Sequence, residues 1–366
     1  MPDISDLRQR QALPLSAKVS MSQNRIREWY QHWNGDVYVS FSGGKDSTVL
    51  AHLVRDLYPD VPLIFCNTGL EYPEVQTFAR EVGAEFITPT LRFSDVISKY
   101  GYPVISKEVA GSIYEARPIR SVISFRKEEF LGKRLNPKTG ELCPYQKTKY
   151  YPLCVQTQFK ISATCCTAMK KNPIRSYERR TGRKPFIGTL TEESKLREQS
   201  WLKHGCNAFD KKKPSSHPMS FWKENDVLRY LVDNKIEIAS VYGEIVSVDK
   251  DGYQYEALCG TNCDLKCAGC QRTGCIFCGF GSHRDTDEVT RWQRLAITHP
   301  KQYEYCIGGG QWVDNPDFDE SAPKFTGDWE NWNPKKIWVP SKKGLGMGKV
   351  FDDINSLYGK DFIRYK

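Results

Sequence analysis

Two groups of residues in this 366-residue sequence have the types and spacing to do chemistry. The first is Ser42-Gly43-Gly44-Lys45-Asp46-Ser47. Consecutive glycines let the backbone turn tightly and bring its N–H groups up to an anion. A helix opening near Asp46 aims its positive end at the same point. Ser42 and Ser47 add hydroxyl donors and Lys45 adds a cation, so the segment reads as a phosphate-binding loop. It is not a Walker A loop, because the GxxxxGK[ST] spacing is absent. Asp46 is a candidate metal contact, with helix N-capping and first-turn charge as its structural alternative. The second group is the cysteines. Six of the thirteen, Cys259, Cys263, Cys267, Cys270, Cys275 and Cys278, lie within 20 residues, and Cys165 and Cys166 are adjacent far upstream. In a reducing compartment such density reads as metal or iron–sulfur ligation before disulfides. Cys66, Cys143, Cys154, Cys206 and Cys306 stand apart and read as buried structural thiols.

The elements that must position these groups follow from periodicity. Ser22 to Trp33 has helical spacing, with Ile26, Trp29 and Trp33 on one face, and Asn34-Gly35 ends it. Asp36–Phe41 is a short apolar strand, then the glycine loop, then a helix through STVLAHLVRDLY. Val61–Cys66 and AEFITP near residue 86 predict two further strands, with helices around 73–82 and 94–100 between and after them. KPFIGTL predicts a strand ending at Leu190, and Glu224–Asn234 a helix. This alternation predicts an α/β fold, a doubly wound, mostly parallel sheet with helices on both faces. From about Arg117 to Gln158 no periodicity is visible, which predicts a turn-rich loop or lid. IVSVDKDGYQYEA predicts a hairpin around Asp251-Gly252. Asp285–Thr298 and Lys349–Tyr358 read as helices of a helical C-terminal region. The expected organisation is an N-terminal helical segment (1–34), a nucleotide-binding α/β domain (35–245), a hairpin and cysteine-rich metal module (246–284) and the C-terminal region (285–366).

Composition limits the partners. The net charge is +9, but residues 117–184 hold 17 Lys/Arg against 4 Asp/Glu, a local balance of +13, leaving the remainder near −4. A concentrated basic stretch suits a nucleotide or a nucleic acid, and a solvated lysine-rich surface is its plain alternative. No apolar run approaches the ~20 residues of a membrane span, and the first residues lack the apolar core of a secretory signal. The expectation is a soluble, cytoplasmic chain with no membrane partner.

The loop and its context resemble a known family. SFSGGKDS looks like the PP-loop of the ATP pyrophosphatases, in the phosphoadenosine phosphosulfate (PAPS) reductase branch with adenine nucleotide α-hydrolase-like fold. FCNTGLEYPE at 65–74, CCTAMKKNP at 165–173, GTLTEESKLR at 188–197 and WKENDVLRY at 222–230 are similar to that branch's later motifs, in the same order over roughly residues 35–285.

The resemblance implies an adenine-nucleotide site at the carboxyl ends of the strands, where the crevice rule for open α/β sheets also points. An intact SGGKDS implies cleavage of ATP to AMP and pyrophosphate, with Lys45, Asp46 and Arg197 in the catalytic set. Nucleotide contacts are expected from Ser40, Ser42, Gly43, Gly44, Lys45, Asp46, Ser47, Asn67, Thr68, Gly69, Lys170, Gly188, Glu193, Ser194 and Arg197, with Mg²⁺ on the phosphates. Lys171 and Glu71 are further candidates; a solvent-facing acid is the plain alternative for Glu71, and a structural salt bridge for the other charged residues. Iron-containing members hold a [4Fe–4S] cluster on a Cys-Cys pair and a later Cys-x-x-Cys, which here match Cys165, Cys166, Cys275 and Cys278, with Cys270 in reserve. Cys259, Cys263, Cys267 and Cys270 offer an alternative Zn²⁺ set. The C-terminal tail, ending GKDFIRYK, lacks the nucleophilic cysteine of thiol-dependent sulfonucleotide reductases. The leading expectation is therefore an adenylating enzyme of sulfur transfer, acting on a nucleic acid or nucleotide acceptor, with a sulfur-donor protein as partner. The alternatives are an iron–sulfur sulfonucleotide reductase and a nucleotide-sensing module of a regulatory or defence complex.

Overall fold

The computed structural model describes residues 3–119, 124–249, 254–256 (backbone) and 263–366. The chain divides into two compact units, residues 1–89 with 172–275, and residues 90–171 with 276–366.

The first unit is built on a six-stranded sheet. β1 (Val37–Phe41) pairs in parallel with β2 (Leu63–Cys66) on one side and with the strand Lys184–Phe186 on the other. β3 (Glu85–Ile87) extends the first side, while Ser215–Ser216 and the antiparallel edge Asn207–Ala208 extend the second. Alternation along the strands sets the two faces. Val37, Val39, Phe41, Leu63 and Phe65 point into the main core, with Val49, Leu50, Leu53 and Val54 of the helix Lys45–Leu57. At roughly 1.5–3 kcal/mol per fully buried apolar side chain, this face dominates the unit's stability. Tyr38 and Ile64 point the other way, where Tyr177 and Ile174 of the helix Asn172–Thr181 cover them. Helices thus lie on both faces, and the doubly wound sheet is observed.

Several boundaries differ from expectation. The N-terminal segment is two helices, Ile4–Ala12 and Leu15–His32; the first is polar and buries only Leu7 and Gln11, so it leaves no clear apolar stripe in the sequence. The first-unit strand expected through Leu190 stops at Phe186, because beyond it the chain turns into the loop that carries Gly188. Ile245–Val248 pairs antiparallel with Gln254–Glu256, as the hairpin pattern predicts; its tip at Asp251-Gly252 lies outside the described residues, as does Cys259. A third strand, Asp264–Cys267, joins the other edge of Ile245–Val248.

The second unit is mainly helical. The segment 117–158, expected as a loop or lid, holds the helices Ser124–Leu131 and Tyr151–Gln156. It escapes periodicity because ion pairs hold it. Arg126, Arg134 and Lys147 converge on the buried carboxylate of Glu129, and Arg126 and Lys147 also reach Glu115 and Glu108. Buried Arg117 donates to the carbonyls of Leu153, Cys154 and Phe159 and to Thr157 Oγ1, with its guanidinium 4.4 Å from the Trp332 ring centroid. Arg291–Thr298, Pro300–Ile307 and Met347–Tyr358 are helices. The first begins at Arg291 rather than Asp285, because Thr290 caps it through Gln293. Between them, Gln311–Asp314 pairs with Lys336–Val339 and Phe325–Thr326 with Trp329–Glu330, so this region is not helical throughout. Among the described residues no helix is long and apolar enough to cross a membrane.

Candidate functional site

The strand order places a switch point between β1 and Lys184–Phe186, since successive strands run outward from there in opposite directions. Loops leaving the carboxyl ends of these two strands enclose a crevice, the usual ligand position in open α/β sheets. One is Ser42–Ser47 and the other runs from Ile187 to Ser194. The two are in close contact: a Cβ added at Gly188 would sit 2.9 Å from the Asp46 carbonyl oxygen.

The glycine loop is pre-shaped. Gly43 has φ +68, a conformation that glycine adopts without strain. Gly44 is the N-cap of the helix Lys45–Leu57. Asp46 is therefore a first-turn acid and not the cap. Ser47 Oγ donates to the Gly44 carbonyl and accepts from the Ser42 amide, while Ser42 and Ser47 hydroxyls lie 3.0 Å apart. These bonds fix the loop without ligand, and α-helical amides at its end point into the crevice.

Lys45 is buried, and its Nζ lies 3.0 Å from Glu224 Oε1 and 3.6 Å from Asp46 Oδ1. Burial pushes its pKa down, but Asp46 and Glu224 more than offset this and the net shift is upward. For Asp46, burial raises the pKa, Lys45 lowers it and Glu224 raises it further, leaving it above the ordinary carboxylate value. Asp46 Oδ1 is buried without a hydrogen-bond partner. A buried carboxylate oxygen met only by the Lys45 ammonium, at the mouth of an amide-lined loop, fits a site for a polyphosphate with its divalent cation.

Other side chains close around this point. Tyr242 OH is 2.5 Å from Thr273 Oγ1, and a Cβ on Gly44 would lie 3.2 Å from it. Arg197 pairs with Glu193, as does Arg272 at 3.8 Å. Burial, Arg272 and Asp46 act on Arg197 in that order, with a net lowering of its pKa. Ser194 accepts the Arg197 amide as the N-cap of Lys195–His204. His217, beneath this loop, lies 2.8 Å from Thr189 Oγ1 and 3.1 Å from Ser215 Oγ; burial, then Lys211 and Arg197, push its pKa down to about 4.

The structure thus gathers Ser42, Gly43, Gly44, Lys45, Asp46, Ser47, Gly188, Glu193, Ser194 and Arg197. Ser40 is half-buried in β1. Asn67, Thr68 and Gly69 follow β2 in a turn closed by buried Glu71, which accepts from the Thr68 amide and hydroxyl. Glu71 is therefore a structural acid rather than a solvent-facing one. Gly69 borders open space. Lys170 belongs to the second unit. Glu224, Tyr242 and Arg272 were missed by the sequence reading. The resemblance of the WKENDVLRY run to a family motif is the available signal for Glu224.

Comparison with known proteins follows the same lines. Residues 36–136 match the model of the phosphoadenosine phosphosulfate reductase domain. Over those residues the chain is similar to the PAPS reductase domain. A phosphoadenosine 5'-phosphosulfate reductase from Xylella fastidiosa (strain M12) is 32% identical over 79 residues, 22% of this chain and 32% of that protein. An uncharacterized protein of Methanocaldococcus jannaschii is 24% identical over 133 residues, 33% of this chain and 32% of that one. The chain thus spans about a third of the length of these curated relatives. A crystal structure of PAPS reductase from Candida auris, in a phosphate complex, superposes with a TM-score of 0.35 at 11% identity, covering 66% of this chain and 91% of that one.

The cysteines are distributed over both units. Cys165 and Cys166 open a helical turn, Thr164–Cys166, of the second unit. Cys278 precedes the strand Gly279–Phe280, which pairs with Val104–Ile105; Ile161, on the approach to Cys165, bridges to Tyr102 of the same stretch. Ile105 holds φ +66 there, a costly conformation for a β-branched residue. Hydrogen bonding from Cys165 outweighs burial, and with Lys107, Lys170 and Lys171 it draws the Cys166 thiol down to about 6. Cys154 and Cys306 are buried thiols, and burial pushes both up. Cys275 closes the first unit, as do Cys267 and Cys270 before it. Among the described residues no group of three or more His, Cys, Asp or Glu side chains is assembled to hold a metal.

Proposed function

We propose that this chain is a PP-loop enzyme that binds ATP at Ser42–Ser47 and cleaves it to AMP and pyrophosphate in sulfur-transfer chemistry. The observation that carries the reading is the loop itself: Gly43 and Gly44 put no side chain between the backbone at a helix start and an incoming phosphate, with Lys45 and the buried Asp46 carboxylate beside them. Lys45 and the amides hold the phosphates of the leaving group, and Arg197 and Arg272 offer forked donors for further oxygens. A Mg²⁺ held at Asp46 would neutralise charge on the phosphates. The Asn67–Gly69 turn lies at the end of the neighbouring strand, where the adenosine would extend.

The same reading assigns Cys165, Cys166, Cys275 and Cys278 to a [4Fe–4S] cluster, supported by the motif order. Incubation of the purified chain with ATP and Mg²⁺, and separately with adenosine phosphosulfate or PAPS and a thiol, tests the assignment. AMP and pyrophosphate from ATP are the expected products; sulfite from a sulfonucleotide, with ATP untouched, would overturn it.

A further inference from the structure

Six of the 17 Lys/Arg of residues 117–184 are held by carboxylates or sealed among carbonyls. Arg126, Lys133, Arg134, Lys147 and Lys160 form ion pairs, and Arg117 is sealed among carbonyls. The helix Asn172–Thr181 and the turn after it differ. Arg175, Arg179, Arg180 and Arg183 have no carboxylate within ion-pair distance among the described residues, and Arg179 and Arg180 are exposed. The single acid of this helix, Glu178, accepts from Tyr38 OH at 2.9 Å and is thereby turned to the sheet. The apolar residues Ile174 and Tyr177 are likewise used against Tyr38 and Ile64. What remains outward is a ridge of arginines.

We propose that this ridge is a nucleic-acid backbone site, which names the acceptor class for the reading above and rests on that reading for its role in catalysis. Three observations favour it. Arginine forks grip phosphate oxygens bidentately. Arg175 and Arg179 are one turn apart, about 6 Å along the axis, so they can serve successive phosphates on one strand. The topology also gives the ridge a direction. The helix feeds the amino end of Lys184–Phe186, which runs parallel to β1, so the helix runs antiparallel to both strands. Arg183 therefore lies toward the far edge of the sheet and Arg175 toward the edge bearing the phosphate loop. A strand lying along the ridge is led to the crevice. A membrane surface is the weaker fit, because interfacial helices expose an apolar face and this one buries its own.

The test uses the full chain, a 20-nucleotide single strand and its duplex, and fluorescence anisotropy at several salt concentrations. The triple variant Arg175→Gln/Arg179→Gln/Arg180→Gln is compared with the wild type and with the triple Arg→Lys variant. Wild-type affinity should fall with salt. The Gln variant should lose about two to three units of the log–log slope, at about 0.7–0.9 per phosphate contact, and bind roughly tenfold or more weakly at about 0.1 M salt. The Lys variant should keep the slope. Equal slopes for wild type and Gln variant, no salt-dependent binding, or binding to phosphatidylserine vesicles in place of oligonucleotide would each overturn the proposal. ATP affinity is measured in parallel and should not change in the Gln variant. Loss of ATP binding in the wild type would instead strike the PP-loop reading and leave the ridge standing.

Discussion

Lys45 Nζ lies 3.0 Å from Glu224 Oε1, so without ligand the loop's one cation is held by an acid from a helix about 180 residues downstream. An incoming polyphosphate must compete with Glu224 for that ammonium. Replacing Glu224 by Gln keeps an acceptor but removes the competing charge. With Glu224 about 41% exposed, the gain is modest, about 1 kcal/mol or roughly fivefold tighter ATP binding measured in EDTA. Lys45→Met should abolish binding. Weaker ATP binding by Glu224→Gln in EDTA would show that Glu224 supports the nucleotide directly.

Gly44 has an ordinary φ, so a side chain there strains no backbone, but its Cβ would enter the space between Ser42 Oγ and Tyr242 OH, both at 3.2 Å. Gly44→Val should fold and lose ATP binding, read by calorimetry alongside circular dichroism. Unchanged affinity in a folded variant would remove the loop from the nucleotide site.

His217 is half-buried and held as the neutral imidazole, its pKa pushed down to about 4 from an ordinary 6.5. The unfolded chain therefore binds more protons between these values, so stability rises with pH across that window. About 3 kcal/mol should be present above pH 6.5 and be lost as pH falls toward 4. Urea unfolding at pH 7, 5.5 and 4.5 measures it, and His217→Gln should flatten the dependence.

Anaerobically purified protein should be brown and hold about four irons per chain. Cys275→Ser should remove most of the visible absorbance, and Cys259→Ser should not. One zinc and no iron in such a preparation would refute the cluster and favour a local zinc module within Cys259–Cys278.

The first unit was largely legible because its signals are local. β1, the glycine loop and the following helix are contiguous, and VYVSF and LIFC are short apolar runs of the kind that form buried parallel strands. What escaped depends on contacts distant in sequence. Glu224 meets Lys45 only through folding, and Tyr242 reaches the loop through a short 3-10 turn, Ser240–Tyr242, that has no sequence period. The helix Ser124–Leu131 was unreadable for another reason: its charges meet partners at positions 115, 134 and 147, which periodicity does not register. Net charge misled in the same way, since counting residues cannot tell a paired arginine from an exposed one.

Glu129 gives that point a practical consequence. Three cations share its one buried carboxylate, and although burial raises its pKa, Lys147 and Arg126 lower it further than burial lifts it. The carboxylate therefore stays charged to below the ordinary glutamate range, and the segment from Arg126 to Lys147 stays folded with it. Remove that charge, as in Glu129→Gln, and three neighbouring cations repel one another in a stretch rich in trypsin cleavage points. Limited digestion would then cut first between residues 126 and 147, so a single acid acts as the chain's safeguard against proteolysis there.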